Sequence, residues 1–381
     1  MSSNWQWEAQ SEVSSGFWCT PGPSGQFHST SGPGDLEAEL TSLIGDCGPN
    51  DTLCLISHVL DDPGIIEQIR KLRRSGTVVK IVTALLNFKK NPPKVVTRGW
   101  DNSIDVQRHQ QAIRDLAKMG VLLRSPPTTP HIKLALRVGG PVMFGSANFT
   151  TNSIRGKAIE LAMRREEAVW SNALGTAFQQ VWESCIWSLG SSNRALMLQQ
   201  RIGTPIKMET AAHHYPAVCL SQPGSPAAIA ETLTSIINRA GKEVILTGLS
   251  FYDTSLLPGF WAAMKGALDR NVRLRVAVRP EHFKIEKFPD ESTRELLDSG
   301  LELVGVSDLH AKGVLVDNQI CGLLSANFNP YSLDPTIETS NLEMGVFERV
   351  EDAGWLAAAN FLRSLVEVPT HRLTRTRGGE K

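Results

Sequence analysis

The chain offers little from which to build a disulfide framework or a metal centre. Its six cysteines are scattered over 381 residues (Cys19, Cys47, Cys54, Cys185, Cys219 and Cys321), and none forms a Cys-x-x-Cys pair. Cys47 and Cys54 have no nearby histidine that would complete a zinc-ligand spacing. Cys54 lies between Leu53 and Leu55, and Cys321 follows Ile320, surroundings in which a free thiol behaves as a small core residue. No stretch approaches the roughly 20 apolar residues that span a bilayer. Met1 to Trp7 shows no basic region leading into an apolar run, so no secretory signal is expected. These absences predict reduced thiols, no cofactor, no metal, no membrane span and a cytoplasmic location. Net charge is missing too, with 39 acidic and 39 basic residues. The whole-chain balance therefore selects neither nucleic acid nor membrane as a partner.

What is present is an ordinary globular composition, 41% hydrophobic and 20% charged, long enough for two domains or one large duplicated one. Residues 1–34 are rich in Ser, Gly and Pro and are expected to be irregular, although Trp5, Trp7, Phe17 and Trp18 predict packing on the body. A helix starting near Asp35 is followed by an expected strand at Thr52–Ser57, helix Gly64–Ser75, strand Val78–Thr83, helix 104–119 and strand Val121–Arg124. The order recurs after Ser225–Pro226: a helix carrying Ile229, Leu233, Ile236 and Ile237, strand Glu243–Thr247, helix Trp261–Asp269, strand Arg273–Val278, helix Ser292–Ser299 and strand Leu301–Val304. Alternating strands and helices imply an α/β fold with mixed, mostly parallel sheets. The repetition predicts two modules, 35–188 and 226–366, joined by a Pro-rich connector 189–225 and followed by a basic tail 367–381.

Each module carries the same short pattern. The first reads His131-Ile132-Lys133, then Gly145-Ser146-Ala147-Asn148-Phe149; the second reads His310-Ala311-Lys312, then Leu324-Ser325-Ala326-Asn327-Phe328. The intervals from histidine to lysine to asparagine are identical, and Ser153 and Ser332 extend the match. Further on, Glu160 and Glu343 each sit within an apolar, strand-like segment. One His-x-Lys is worth nothing as a signal; two with matching internal spacing are another matter. Phosphodiester chemistry needs these residue types. Lysine neutralises the non-bridging oxygens and asparagine adds directional donors. One neutral histidine can attack phosphorus while a protonated one serves the leaving oxygen, with a carboxylate fixing each ring.

The pattern resembles the HKD signature of the phospholipase D superfamily, HxKxxxxD followed by GSxN and a later glutamate, and the likeness spans both modules. The second copy is complete through Asp317 but carries Leu324 in place of the glycine. The first keeps its glycine and carries Val138 where the family has aspartate. The resemblance implies a duplicated fold with a pseudo-twofold axis and one site containing His131, Lys133, Asn148, Glu160, His310, Lys312, Asn327 and Glu343. It also implies that His131 is the nucleophile, His310 the acid and base, the motif aspartate structural, and the chemistry metal-independent. Ser146, Ser325 and Asp317 are the expected supporting residues.

The superfamily's chemistry does not choose a substrate. Between Arg70 and Trp100 there are nine basic residues and no acid. Arg70, Lys71, Arg73, Arg74, Lys89, Lys90 and Lys94 are the candidates for a phosphate-tracking surface, although a solvated helix face is the commoner origin of such a run. With no signal or anchor in view, the sequence points to a nuclease, with nucleic acid as partner and a restriction or defence system of several proteins as a setting. A phospholipase or phosphatidyl transferase is the alternative, with Leu85-Leu86-Asn87-Phe88 as the candidate lipid-contacting segment. A nucleic-acid-binding subunit with a weak site is a third. His58, His109, His282 and the pair His213–His214 lack ligand spacing, and Trp170, Trp182 and Trp187 are expected in the core.

Overall fold

The computed structural model describes residues 4–10, 27–29, 35–87, 94–95, 104–155, 158–192, 195–207, 215–282 and 289–376. In the first half, strands Thr52–Ile56, Val78–Val82 and Leu122–Ser125 alternate with helices Pro63–Ser75 and Ile104–Lys118. In the second, strands Glu243–Thr247, Arg273–Val278 and Glu302–Gly305 alternate with helices Pro258–Asp269 and Glu291–Asp298. Local chemistry explains the boundaries. The Asp62 carboxylate accepts the Ile65 amide at 3.0 Å, Pro63 opens the helix, and Gly76 closes it at φ 101°. Between these stops, Ile65, Ile66, Ile69 and Leu72 recur on the buried face. Asp290 caps helix Glu291–Asp298 in the same way, through the Thr293 amide at 3.1 Å.

Each half builds a nine-stranded sheet. The duplicated α/β architecture is as expected, but the parallel content is smaller than the sequence suggested. In each sheet only the three strands just named run parallel to one another. Strands Leu134–Arg137, Val142–Gly145 and Leu161–Arg165 continue the first sheet antiparallel, as do Gly313–Val316, Ile320–Leu324 and Glu343–Arg349 in the second. For the first two of these strands in each sheet the reason is the length of the link between them. The turn between Arg137 and Val142, or between Val316 and Ile320, is too short for the crossover a parallel return requires.

Segments expected to be irregular supply edge strands. Asn4–Ala9 pairs antiparallel with His371–Thr376 at the rim of the second sheet, so neither the leading segment nor the basic tail is structureless. Phe27–Ser29 pairs with Leu161–Met163. The connector holds most of hairpin Trp187–Ser192/Ala195–Gln200, and strand Ala217–Ser221, which pairs with Glu343–Phe347.

Two apolar clusters belong to one half each, and a third joins them. The shared cluster takes Ile56 and Leu134 from the first sheet, Ile245 and Leu315 from the second, and the buried faces of helices Ala168–Ser184 and Ala353–Glu367. Trp170 and Trp355 meet there with ring centroids 5.9 Å apart. This continuous core sets the two sheets rigidly against each other, which a site assembled from both halves requires.

Candidate active site

Both His-x-Lys segments lie just beyond the carboxyl ends of the parallel strands, because the strands they lead into run antiparallel to Thr52–Ile56 and Glu243–Thr247. Each is fastened by main chain to the opposite half. The His131 amide donates to the Leu342 carbonyl at 2.9 Å, and the Leu342 amide donates to Thr129 O at 2.9 Å. In mirror fashion the His310 amide donates to Ile159 O at 2.9 Å, and Ile159 N to Asp308 O at 2.8 Å. Leu342 and Ile159 immediately precede the two glutamates, so this docking delivers each carboxylate to the histidine of the other half. His131 Nδ1 lies 2.8 and 3.0 Å from the Glu343 oxygens, and His310 Nδ1 lies 2.7 Å from Glu160 Oε1. The exchange of partners gathers both motifs into one site.

Both glutamates are fully buried. The Ser146 hydroxyl donates to Glu160 and accepts from the Leu161 amide at 3.1 Å; Ser325 does the same for Glu343, accepting from Met344 N at 2.9 Å. Burial raises both carboxyl pKa values, but the facing histidine, lysine and serine outweigh it, and both are held below the usual range. With Nδ1–H donated to a carboxylate, each neutral imidazole keeps its lone pair on Nε2, the nitrogen left for substrate. Burial pushes His131 down to about 4; Glu343 opposes this, and Lys133 and Lys312 add to it. His310 is shifted in the same direction by burial, against the pull of Glu160.

Lys133 and Lys312 are 2% and 1% exposed, and their Nζ atoms donate to the carbonyls of His131 and His310, the latter at 2.6 Å. Burial lowers Lys133 to about 7, opposed by Glu343 and Glu160 and reinforced by Lys312. Lys312 falls to about 8 for the same reason, against Glu160 and Glu343. A phosphoryl anion between them would restore their charge. Asn327 Oδ1 accepts the Leu249 amide at 3.1 Å, which turns its NH2 group away from that contact, whereas Asn148 Oδ1 is buried with no hydrogen-bond partner among the described residues.

The two departures from the motif have structural explanations. Asp317 accepts the amides of Gly241, Lys242 and Glu243, each at 2.8 Å, at the far end of strand Gly313–Val316 from Lys312. It never touches the reacting groups. At the matching turn Val138 is exposed, and the loop ahead of strand Thr52–Ile56 is closed by its own Asp51, which accepts Gly48 N at 2.7 Å. Leu324 in place of glycine is answered across the strand pair. Gly145 faces Ala162 in the first half, whereas Leu324 faces Gly345 in the second. A Cβ on Gly145 would lie 2.5 Å from Leu161 O, and one on Gly345 would press on Leu324 at 3.0 Å. In each pair one glycine makes room for the side chain opposite, and it has changed strands between the halves.

The basic helix end does not line the site. Arg73 donates to Gly120 O at 3.1 Å and to Thr77 O at 3.3 Å, placing it where the parallel strands begin, at the end away from the histidines. Arg70 is bound to Asp115 at 3.0 Å, and Arg74 lies 3.7 Å from Glu67. Lys71 shares that helix end. These four residues are thus not a phosphate-tracking surface beside the histidines, a point that periodicity could not reveal. Lys89 and Lys90 lie outside the described residues, and only the backbone of Lys94 falls within them. His109 is a core residue, bridging Leu60 and Ala84 main chain, and Leu85 is buried. Sequence reasoning missed Asn341, whose Nδ2 donates to Glu343 Oε1 at 3.1 Å; a polar residue two positions before the glutamate was the available signal. Among the described residues, no group of three or more His, Cys, Asp and Glu side chains could hold a metal, and no helix is long and apolar enough to cross a membrane.

Two His-x-Lys half-sites that share their glutamates define a histidine-based phosphoryl-transfer centre. The profile of the family described as cardiolipin synthase, phospholipase D-like domain, matches residues 40–182 and 233–361. The chain therefore belongs to the phospholipase D superfamily, whose members are phosphodiesterases and phosphotransferases. No curated protein matches its sequence. Among solved structures, phosphatidylserine synthase of Haemophilus influenzae superposes with a TM-score of 0.63 at 11% identity, covering 92% of this chain and 87% of that one. Polyphosphate kinase of Porphyromonas gingivalis superposes with 0.56 at 11% identity, over 91% of this chain and 48% of that one. Nuc, a phospholipase D family member from Salmonella typhimurium, aligns with 0.35 at 18% identity, over 44% of this chain and 99% of that one. At these identities the likeness concerns the fold alone.

Proposed function

We propose that the chain is a phosphodiesterase that works through a phosphohistidine on His131 and takes a nucleic-acid strand as substrate. The observation that carries the chemistry is the crosswise pairing of His131 with Glu343 and His310 with Glu160. His131 Nε2 attacks phosphorus; the bond to the leaving oxygen breaks as His310 gives that oxygen a proton. Water then loses a proton to His310 and attacks the phosphoimidazole, the P–N bond breaks, and both rings return to their starting states. Lys133 and Lys312 neutralise the non-bridging oxygens, and Asn148 and Asn327 supply amide donors, so the charge compensation comes from side chains rather than from a metal ion.

Nucleic acid as substrate is supported by the run of basic residues in the sequence, Lys89, Lys90, Lys94 and Arg98, with no acidic residue among them. A second reading, glycerophospholipid cleavage or transfer, is favoured by one feature. A cavity of about 720 Å³ in the second half, walled by Leu256, Leu257, Phe260, Leu333 and Pro335, is apolar enough to take an acyl chain. The test is incubation of the purified chain, in EDTA, with single-stranded DNA, duplex DNA, RNA and phospholipid vesicles. Cleavage of a nucleic acid is expected. Cleavage or headgroup exchange in the vesicles alone would move the substrate to lipid.

A further inference from the structure

The loops beside the two motif asparagines follow the same backbone in both halves. The Asp61 amide donates to Phe149 O at 3.2 Å and the Tyr252 amide to Phe328 O at 3.3 Å. The residues just before them, Leu60 and Phe251, bridge to Phe149 and Phe328 in the same way. Counting four residues on from Asn148 and from Asn327 brings Asn152 opposite Tyr331. An aspartate and an asparagine in the first half are thus answered by two of the chain's three tyrosines in the second, so this backbone does not itself call for the rings. Both tyrosines belong to segments that hold the site. Tyr252 follows Leu249, whose amide fixes Asn327, and the Tyr331 carbonyl accepts at 3.0 Å from the amide of Asn341, whose side chain rests on Glu343. Tyr331 is 53% exposed and Tyr252 half-buried. Burial pushes the Tyr252 phenol up, and Tyr331 and Asp253 add to it, so the two phenols lie within electrostatic reach of each other. A large ring left in water has apolar area to bury against a ligand.

We propose that Tyr331 and Tyr252 are specificity-determining residues, a platform on which an unpaired base next to the scissile phosphate stacks, so that the substrate is a single-stranded nucleic acid. This rests on the nucleic-acid reading above and narrows it. The phosphate belongs with the buried Lys133 and Lys312. Asp253 stands beside Tyr252 and repels a phosphate, which leaves the rings to the uncharged part of the nucleotide. A base inside a duplex has both faces covered by its neighbours, so a ring at the rim of the site stacks only on one that is out of the helix. Such stacking contributes about tenfold or more in affinity per base and tolerates any base, since each presents a π-face. It needs the ring and not the hydroxyl. Tyr331→Phe therefore keeps the platform and Tyr331→Ala removes half of it.

The test compares strands that differ only in their bases. A fluorescent oligothymidylate and an abasic strand of the same length and charge are titrated against the full chain in EDTA, with binding read by anisotropy. His131→Ala is present throughout so that the strand survives, and Tyr331→Ala, Tyr331→Phe and Tyr252→Ala are each added to it. The parent should bind the oligothymidylate about tenfold or more tightly than the abasic strand. Tyr331→Ala should remove most of that ratio and Tyr252→Ala part of it, Tyr331→Phe should keep it, and abasic binding should be alike in all. Thermal melts accompany each variant; if half-buried Tyr252→Ala melts early, the two Tyr331 variants decide. A ratio that is the same in the parent and in Tyr331→Ala overturns the proposal, as does a native chain that cuts duplex DNA as fast as a single strand. In either case cleavage by the native chain leaves the broader nucleic-acid reading standing. A chain that neither cuts nor binds any strand sinks both; a loss of phosphatidylcholine turnover in vesicles on Tyr331→Ala would then assign the rings to a cationic headgroup.

Discussion

Removing the Asp317 carboxylate should cost stability and leave catalysis alone. Asp317 accepts three amides at 2.8 Å, and its backbone sits at φ 51°, in the left-handed region. A hydrogen bond to a charged group contributes about 1.5–3 kcal/mol when sheltered. Asp317 is only partly buried and water replaces much of each bond, so about 2 kcal/mol for the three together is a fair expectation. Alanine adds about 1 kcal/mol for its left-handed conformation, which Asn tolerates. Asp317→Ala should therefore cost about 3 kcal/mol and Asp317→Asn about 1–2 kcal/mol. At roughly 2 °C per kcal/mol for a chain of this size, Tm falls by about 6 °C and 2–4 °C respectively. Burial raises the Asp317 pKa, but the amides of Glu243, Gly241 and Lys242 outweigh it and the folded value is depressed. Its contribution is thus complete above the unfolded carboxyl pKa of about 3.9 and disappears as pH falls through the folded value. Thermal melts of the native protein and Asp317→Asn should be separated at pH 7 and draw together only as pH falls below about 3.9. A tenfold loss of kcat/KM with Tm unmoved would falsify this reasoning, because it would place the aspartate in the chemistry.

The remaining expectations concern the site. Phosphodiesterase activity should survive EDTA, since Lys133 and Lys312 compensate the charge; loss in chelator with rescue by a divalent cation would point elsewhere. His310→Ala should slow phosphohistidine formation with a poor leaving group and be largely rescued in that step by p-nitrophenolate, whereas His131→Ala should be rescued by none; a phosphate mapped to His310 reverses the roles. Gly145→Ala would drive a Cβ to 2.5 Å from Leu161 O and should displace the strand beside Glu160, costing about 1–3 kcal/mol and most of the activity; a variant with native Tm and rate would show that the strand pair can shift freely.

The motif residues and the strand–helix order were legible because both are local: the intervals recur in both halves, and apolar periodicity marks the elements that carry them. The partner exchange was not. Glu343 serves a histidine 212 residues away and Glu160 one 150 residues away, and nothing in either segment's own pattern names the other. Compensation between Leu324 and Gly345 needs strand register, which a list of motif positions lacks. Strand Asn4–Ala9 owes its conformation to the partner strand His371–Thr376 and lies beside a Gly- and Pro-rich stretch that reads as irregular. The arginines of helix Pro63–Ser75 were visible as a cluster, but only the packing of Arg73 on Gly120 and Thr77 tells which end of the sheet they occupy. Asn341 reads as any polar residue until its amide is seen on Glu343.

The pairing of Asn4–Ala9 with His371–Thr376 has a consequence for how the molecule is made. A ribosome adds about 5–20 residues per second, so the earliest of these strands waits roughly 20–70 s for its partner to be translated. Until then strand Glu302–Gly305 has no His371–Thr376 beside it, and the nascent Asn4–Ala9 carries Trp5 and Trp7 without the strand that receives it. The first half can collapse on its own core while translation continues, but closure of the second sheet waits for His371–Thr376. Occupying the early strand with a chaperone until its partner is made should therefore change yield far more than it changes the stability of the finished protein.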